Sequence, residues 1–422
     1  NFTLNLAGNR KQKGFQRLAD NDVLALSKCL LNYRTLTGLD MGYNNISDEG
    51  AAYLAKLLEV RKRRGLLRRW SDDVTVIMSV TVIMSVTVII RVVVVMPVAA
   101  QAQDTMLRSL DLTFNNIQTN GAEVLASSLQ GNSSLLSLRL SGNKIGRHGG
   151  LNLAGMLRVN MTLQELELGE CDLNLLVPSE VLPLTLPLSL QEMQSMIGLS
   201  TALKTNTTLR SMDVSRALLF SYLEEWAVHF SKMLPVNSSL VELHLGKMGL
   251  TDTGMERLSE GLKLNHRLRY LDLRCNRVSR DGALHLSRVL KENSPLEVID
   301  LSSNRIEDPG AEYLSEAICS KGSVLRENNI STRGLLSLAG ALNNSPTLTH
   351  IYIWGNHLEE PVCQAFRELL ITGRLTPEQS DVRPYEVDGH VFLAELSHHL
   401  RKHLFFLDVN EKNAGSDSPQ TQ

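Results

Sequence analysis

The chain has 422 residues, of which 43% are hydrophobic, 5% aromatic and 21% charged, and its net charge at pH 7 is -2. This composition is ordinary for a folded protein, and the small net charge excludes a global attraction to nucleic acid or to an anionic membrane. The five cysteines are far apart and form no Cys-x-x-Cys pair, which argues against a zinc site or a disulfide framework and favours a reducing compartment.

A repeated pattern starts near the beginning of the chain. A half-repeat, Leu4-x-Leu6-x-x-Asn9, comes first, and the full pattern Leu-x-x-Leu-x-Leu-x-x-Asn-x-Ile follows, with other aliphatic residues at some positions. Its six clear copies have their asparagines at Asn44, Asn115, Asn143, Asn276, Asn304 and Asn356. Asn115 and Asn143 are 28 residues apart, as are Asn276 and Asn304, so we expect a tandem array.

Each unit is predicted to contain one short strand and one helix. The Leu-x-Leu step places both leucines on one face of a strand, and the asparagine amide can bond backbone groups that a tight turn leaves unpaired. Residues 121–129 and 310–318 have apolar residues at steps of three and four, which is typical of an amphipathic helix. Stacking about ten such units predicts an α/β solenoid, a horseshoe with parallel strands on its concave face and helices on its convex face.

Residues 60–105 interrupt this period. The hexapeptide at 75–80 is repeated at 81–86 and followed by a valine run, which hydropathy alone would assign to a membrane span flanked by the basic residues 61–69. A bilayer would split the solenoid, so we reject that span and interpret the duplication as translated low-complexity nucleotide sequence. The basic run is also considered as a nuclear or nucleolar address.

Irregular units follow in the middle of the chain. Three of them have another residue in place of the asparagine: Cys171, Ala217 and Met248. A leucine-rich segment with three prolines, at 174–190, is a second insertion. Asn328 lies only 24 residues after Asn304, which predicts that its unit has lost most of its strand. We expect these units to be the weaker part of the array.

The C-terminal region departs from the repeat. Residues 385–392 are predicted to form a hairpin with its turn at Asp388-Gly389. Residues 394–406 are predicted to form a helix, in which His399 and His403 are interpreted as solvated side chains and not as metal ligands. We therefore divide the chain into a solenoid at 1–371, a cap at 372–410 and a disordered tail at 411–422.

Strand alternation indicates which side chains face the concave surface. One predicted column crosses eight strands and is mainly acidic: Asp40, Asp111, Arg139, Glu167, Asp213, His244, Asp272 and Asp300. Like charges on neighbouring strands repel, so a partner with a basic surface would explain this column. The alternative is that Leu-Asp-Leu is simply the usual sequence of this repeat type, and the sequence does not separate the two.

Three aromatic residues, Tyr270, Tyr352 and Trp354, lie toward the C-terminal end of the same predicted face. Exposed tyrosine and tryptophan are favoured anchors of protein partners. The competing interpretation for Trp354 is that it packs under the cap. The predicted partner-binding residues are Asp40, Asp111, Glu167, Asp213, Asp272, Asp300, Tyr270, Tyr352 and Trp354.

The sequence lacks a phosphate loop, a nucleophile elbow and a zinc-protease motif. We therefore expect no catalytic, cofactor-binding or metal-binding residue, no small-molecule substrate and no membrane association. Glycosylation sequons recur in phase at the helix-to-strand turn, at Asn132, Asn160, Asn206 and Asn237. We interpret these asparagines as helix C-caps and not as glycosylated residues.

The repeated unit, with its Gly-Ala-x-x-Leu-Ala-x-x-Leu helix, resembles the ribonuclease-inhibitor type of leucine-rich repeat over most of residues 32–371. The resemblance implies an intracellular interaction protein, with relatives in the nucleolus, in the cytoplasm and among components of motile cilia. Ribonuclease inhibitors themselves are rich in cysteine, and the five cysteines here do not favour that activity.

The predicted function is a non-catalytic scaffold for other proteins, within a large intracellular assembly such as the ciliary axoneme or as a nucleolar, pluripotency-associated factor. The region after Asn1 has no signal-peptide pattern, which agrees with an intracellular location. An activator of a Ran-like small GTPase is the alternative, because such activators resemble this solenoid. Immune receptors carry similar repeats beside a nucleotide-binding domain, but no phosphate loop occurs in this sequence.

Overall fold

A computed structural model of the protein describes residues 2–9, 16–30, 35–59, 76–83, 89–96, 107–173, 193–217, 224–292, 295–317, 322–345 and 348–396. For 76–83 and 89–96 only the backbone is described.

Short strands recur along this part of the chain. They are β1 (Phe2–Asn5), β2 (Leu36–Asp40), β3 (Val76–Ile83), β4 (Ile89–Met96), β5 (Ser109–Asp111), β6 (Ser137–Arg139), β7 (Glu165–Glu167), β8 (Ser211–Asp213), β9 (Glu242–His244), β10 (Tyr270–Asp272), β11 (Val298–Asp300), β12 (Gly322–Val324), β13 (His350–Tyr352), β14 (Val382–Val387) and β15 (His390–Glu395). Eleven of them, β1, β2 and β5 to β13, form one parallel sheet in chain order.

A helix follows each strand of the sheet. The helices are α1 (Asp20–Leu30), α2 (Asp48–Leu58), α3 (Thr119–Leu129), α4 (Gly146–Leu157), α5 (Gln194–Leu203), α6 (Trp226–Met233), α7 (Asp252–Leu264), α8 (Arg280–Lys291), α9 (Glu307–Ala317), α10 (Thr332–Asn344) and α11 (Glu360–Ile371). Consecutive helices pack side by side, as consecutive strands do. The predicted α/β solenoid is therefore confirmed.

The core lies between the sheet and the helices. Leu110 and Leu138, which are partners across β5 and β6, belong to the same buried cluster as Leu125 of α3 and Leu153 of α4. Burial of each such side chain stabilises the fold by about 1.5–3 kcal/mol. Since the cluster runs through successive repeats, each unit depends on its neighbours for its core.

The repeat asparagines form a ladder of hydrogen bonds after the strands. Nδ2 of Asn115 donates to the carbonyl of Leu112 at 3.1 Å and to that of Met41, in the preceding repeat, at 3.0 Å. Its Oδ1 accepts from the backbone N–H of Ile46 at 3.0 Å. Equivalent bonds are made by Asn44, Asn143, Asn276, Asn304, Asn328 and Asn356. The amide thus joins two repeats, beyond the turn within its own unit that the sequence predicts.

Cys171 takes the ladder position in one irregular unit. Its Sγ donates to the carbonyls of Leu140 at 3.3 Å and Gly169 at 3.6 Å. Complete burial raises the pKa of the Cys171 thiol, which keeps it protonated as a donor. Ala217 and Met248 have no side-chain amide to offer here, so these units have fewer ladder bonds.

A second asparagine ladder lies at the turn from helix to strand. Asn160 is buried; its Nδ2 donates to the carbonyl of Leu129 at 2.7 Å, and its Oδ1 accepts from the N–H of Leu163 at 2.8 Å. Asn132, Asn206, Asn237 and Asn265 are bonded in the same way. The expected C-cap role is thus corrected in one respect, because each amide bonds the end of the preceding repeat's helix. Burial of these side chains leaves the sequons inaccessible to glycosylation in the folded state.

The insertion at 60–105 does not break the sheet. β2 pairs directly with β5, with Leu39 opposite Leu110. Within the insertion, β3 and β4 pair only with each other, as an antiparallel ribbon. None of the helices in the described ranges is long and apolar enough to cross a membrane. Most of this insertion, and all of 174–190, lies outside the described residues.

The unit before Asn328 retains its strand, so the predicted loss of that strand is wrong. β12 pairs with β11 on one side and β13 on the other, and it has three residues like most of its neighbours. Ser323 occupies the buried central position that leucine, isoleucine or methionine takes in the other strands of the sheet. Backbone pairing on both edges therefore maintains the strand where the aliphatic pattern is lost.

The predicted C-terminal hairpin is present and longer than expected, since β14 and β15 pair from Val382 opposite Glu395 to Val387 opposite His390. It packs against α11 through β15. Residues 394 and 395 belong to β15 and Leu396 is not helical, which corrects the start of the predicted helix at 394–406. Residues 397–406 and the tail at 411–422 lie outside the described residues. The proposed boundary between solenoid and cap stays a prediction.

Candidate functional site

The predicted acidic column forms one continuous line across the sheet. We call it the acidic row: Asp40, Asp111, Arg139, Glu167, Asp213, His244, Asp272 and Asp300. Each member is the direct partner of the next on the neighbouring strand, on the face that points away from the leucine core. We call this the helix-free face.

Exposure along the acidic row is uneven. Asp40 and Asp111 are half-exposed, whereas Glu167, Asp213 and Asp300 are buried and Asp272 has 0% relative exposure. A direct contact between Asp272 and a partner is therefore excluded in this arrangement, because the side chains of neighbouring strands cover it. The partner-binding role of the other residues stays a prediction.

All five aspartates of the row have a structural role. In five repeats the aspartate Oδ1 accepts from the backbone N–H two residues later, which closes the turn after the strand. These bonds join Asp40 to Gly42, Asp111 to Thr113, Asp213 to Ser215, Asp272 to Arg274 and Asp300 to Ser302 at 2.8–3.1 Å. Leu-Asp-Leu is thus explained locally, which was the alternative to a basic partner.

Arg139 offsets part of the negative charge from within the row. Its Nη2 lies 2.9 Å from Oε1 of Glu165, its Nε lies 3.5 Å from Oε1 of Glu167, and its Nη1 lies 3.8 Å from Oδ2 of Asp111. The guanidinium is one-third exposed, at 36%. Three carboxylates thus surround one cation, so their mutual repulsion is reduced without any partner.

His244 has the same role further along the row. Its Nδ1 lies 3.4 Å from Oδ2 of Asp272, its Nε2 lies 3.7 Å from Oε2 of Glu242, and its ring contacts that of Tyr270 with centroids 5.0 Å apart. Burial lowers the pKa of His244, but the bonds to Asp272 and Glu242 and the charge of Asp213 outweigh it and raise the pKa to about 10. The imidazolium therefore acts as a buried cation at neutral pH.

The predicted aromatic residues are less accessible than expected. Tyr270 and Tyr352 are buried, and Trp354 is partly buried against the core. The backbone N–H of Trp354 donates to Oδ2 of Asp381, the residue just before the hairpin, at 3.1 Å. The backbone of Trp354 thus lies next to the cap, and part of its side chain is exposed; packing of its ring under the cap stays a prediction.

An exposed aromatic pair lies where the sequence analysis proposed nothing. Tyr43 and Phe114 stack with ring centroids 5.0 Å apart and are 38% and 41% exposed. Each follows a half-exposed aspartate of the row by three residues. Both have a left-handed backbone, with φ of 60° and 51°, a conformation that favours glycine or asparagine.

Gly142, in the next repeat, lies under this pair. A Cβ on Gly142 would lie 2.4 Å from the Phe114 ring, so any larger residue at position 142 would clash with the ring in this position. Bulky aromatic residues at a left-handed position before the ladder asparagine are the sequence signal that could have identified the pair. We call Asp40, Tyr43, Asp111 and Phe114 the N-terminal patch.

A group of residues suited to hold a metal ion is absent from the described ranges. The polar clusters found there are internally paired, through Arg139 and His244.

Comparison with known proteins identifies the repeats. A family profile described as Leucine Rich repeat matches residues 34–55, 103–126, 131–154, 264–287 and 292–315. These matches cover five of the six clear copies recognised from the sequence, all but the one at Asn356, and they lie on both sides of the irregular middle.

Three curated relatives carry one name, Leucine-rich repeat-containing protein 34. The mouse protein (Mus musculus) is 43% identical over 245 residues, 57% of this chain and 55% of its own. The rat protein (Rattus norvegicus) is 46% identical over 48% of this chain and 50% of its own length. The human protein (Homo sapiens) is 48% identical over 47% of this chain and 44% of its own length. The match thus spans about half the length of each relative.

Among solved structures, Leiomodin-1 Actin-Binding Site 2 (ABS2) is 16% identical to this chain. It covers 42% of this chain and 87% of its own, with a TM-score of 0.29. We base no argument on this similarity.

Proposed function

Because the chain is built of leucine-rich repeats, we propose that it is a scaffold that binds other proteins and catalyses no reaction. Such repeats combine a rigid stack with a broad accessible surface, which suits binding of macromolecules.

The single observation that carries the proposal is the exposed, stacked pair Tyr43 and Phe114. Folding gains little from aromatic rings left in water, and left-handed backbone at bulky residues costs on the order of 1 kcal/mol or more each. Exposed aromatic side chains held in one geometry are favoured anchors at protein interfaces. Asp40 and Asp111 beside them retain part of the predicted preference for a basic partner.

The test is affinity capture with the full chain from ciliated and from proliferating tissue, followed by mass spectrometry. Tyr43→Asn combined with Phe114→Asn removes both rings and keeps a residue type that tolerates left-handed backbone. We expect this variant to lose major captured proteins while its melting temperature is maintained.

A matched control is available in the hairpin. Tyr385 and Phe392 are a second exposed stacked pair, with centroids 5.6 Å apart. Tyr385→Ser combined with Phe392→Ser should leave capture unchanged. Equal capture by the wild type and the Tyr43/Phe114 variant would refute the patch, and loss only in the hairpin control would assign binding to the cap.

As a finer proposal, the scaffold belongs to a large intracellular assembly, in the ciliary axoneme or in the nucleolus. The two capture sources test these settings directly. The comparisons do not support the alternative of a Ran-like GTPase activator; phosphate release from a panel of small GTPases, with and without this chain, would test it.

A further inference from the structure

We propose that the chain has a second docking surface, a row of exposed cations at the carboxyl ends of strands β8 to β11, which binds an extended acidic segment of a protein. We call it the basic rim: Arg216, Lys247, Arg277 and Arg305. The proposal rests on the proposed function, in that it takes the chain to be a protein scaffold, and it names the chemistry of one partner.

The basic rim spans four adjacent repeats, which are bonded to one another at these residues. The backbone N–H of Arg216 donates to the carbonyl of Gly246 at 2.8 Å, and that of Lys247 to the carbonyl of Arg274 at 2.8 Å. The backbone N–H groups of Arg277 and Arg305 donate instead to the preceding repeat, to the carbonyls of Leu250 at 2.8 Å and Val278 at 2.9 Å. Four consecutive repeats thus each present one cation after the strand: Arg216 and Lys247 lie three residues after it, and Arg277 and Arg305 lie five residues after it.

These cations are accessible. Lys247, Arg277 and Arg305 are exposed, and the Arg216 side chain is 43% exposed. Among the described residues, the side chains of Lys247 and Arg305 make no ion pair or hydrogen bond. Arg216 lies 3.0 Å from Glu170, but an exposed pair of this kind contributes little and is readily exchanged for another carboxylate.

The neighbouring Arg274 is not part of the rim. Its Nε lies 3.1 Å from Oδ2 of the buried Asp272, so its charge is already used inside the protein. The exposed charge at this edge is therefore basic, whereas the acidic charge of the helix-free face is largely buried and internally paired. This is the opposite of the surface that strand alternation alone predicts.

The geometry favours a short acidic peptide over nucleic acid. Strands about 4.8 Å apart give the four repeats a width of about 14 Å across the sheet, the length of about four extended residues. Glu170 at one end and the exposed Glu307 at the other limit the positive surface. A nucleic acid partner would require a longer run of cations. The net charge of -2 also gives the whole chain no electrostatic attraction to nucleic acid.

The test measures binding of a fluorescently labelled decaglutamate peptide to the full chain at low ionic strength, by fluorescence anisotropy. Lys247→Glu combined with Arg305→Glu should weaken binding about tenfold or more. Added salt should weaken binding to the wild type, because the contact is electrostatic.

The matched control reverses the charge of one lysine and one arginine outside the basic rim. Lys204 and Arg210 are exposed, lie before β8 at the opposite end of the strands, and make no side-chain bond among the described residues. Lys204→Glu combined with Arg210→Glu changes the net charge equally and should alter affinity less than twofold. Melting temperatures of both variants establish that they are folded.

Several outcomes would overturn the proposal: no binding of decaglutamate by the wild type, equal losses in the two variants, or tighter binding of a decauridylate RNA through the same residues. The Tyr43/Phe114 variant should bind the peptide normally, because the N-terminal patch lies several repeats away. If the wild type and the Tyr43/Phe114 variant capture the same proteins while peptide binding depends on the rim residues, the N-terminal patch is refuted and the basic rim is supported.

Discussion

Nδ1 of His244 lies 3.4 Å from Oδ2 of Asp272 on the adjacent strand, and both side chains are buried. Nε2 of the same ring lies 3.7 Å from Glu242 on the strand of His244 itself. Asp213 and Tyr270 face the ring from the strands on either side. A positive imidazolium is thus held among carboxylates where solvent cannot replace it.

This pair predicts a loss of stability at alkaline pH. The pKa of His244 is raised to about 10 in the folded protein, from about 6.5 when exposed, so its contribution is full below pH 6.5 and is lost as pH rises toward 10. The free energy of unfolding should fall in this range, with a slope of up to about 1.4 kcal/mol per pH unit. The free energy of unfolding of His244→Gln, measured with urea, should depend less on pH in this range. The same pH dependence in wild type and variant would contradict the assignment.

Asp300→Asn should stabilise the protein at pH 7. Burial and the neighbouring charge of Asp272 raise the pKa of the Asp300 carboxyl, so its charged form destabilises the fold. The asparagine Oδ1 can still accept from the N–H of Ser302. The gain should shrink as pH falls toward the ordinary carboxyl range, because the wild-type side chain then becomes neutral.

The control for this change is Asp40→Asn, at a half-exposed position with the same turn bond. Its effect should stay within about 0.5 kcal/mol. A destabilised Asp300→Asn variant at pH 7, measured by urea unfolding, would show that the charge is needed.

Asn276→Ala should destabilise the protein by about 2–4 kcal/mol. The side chain accepts from the N–H groups of Met248 and Leu250 and donates to the carbonyls of Leu245 and Leu273, so four buried backbone groups lose a partner. Denaturant unfolding measures the change. The exposed helical Asn120→Ala should change stability by less than about 0.5 kcal/mol, and equal effects at the two positions would contradict the ladder.

The second ladder gives a test at a sequon. Asn160→Ala removes the bonds to Leu129 and Leu163 and should cost about 2–4 kcal/mol. Thr162→Val removes the same sequon but leaves the amide, and should cost less than about 1 kcal/mol. Similar losses in thermal unfolding would mean that the threonine, and not the amide, stabilises this turn.

Asp381→Ala should release the C-terminal hairpin. The buried carboxylate accepts from the N–H groups of Ile353 and Trp354 at 2.8 and 3.1 Å and lies 3.4 Å from Nε of Arg326. Hydrogen exchange should therefore accelerate at residues 353, 354 and 382–395. The exposed Glu386→Ala serves as control, and unchanged protection in Asp381→Ala would show that packing on α11 suffices.

The sequence by itself determined the repeating unit and much of the surface pattern. Most units carry an aliphatic-x-aliphatic step and a helix, so similar packing fixes the parallel register, and the acidic row follows from strand alternation alone. The ladder asparagines could be identified for the same reason, because their bonds are local or lie at a fixed repeat distance.

Only the tertiary structure decided which of these side chains meet solvent. Asp272 is covered by residues of neighbouring strands, and β12 persists because β11 and β13 pair with both its edges. Tyr43 and Phe114 are 71 positions apart and stack only because β2 and β5 pair directly across the insertion. Exposure and pairing depend on lateral neighbours from other repeats, and a pattern read along one strand does not contain them.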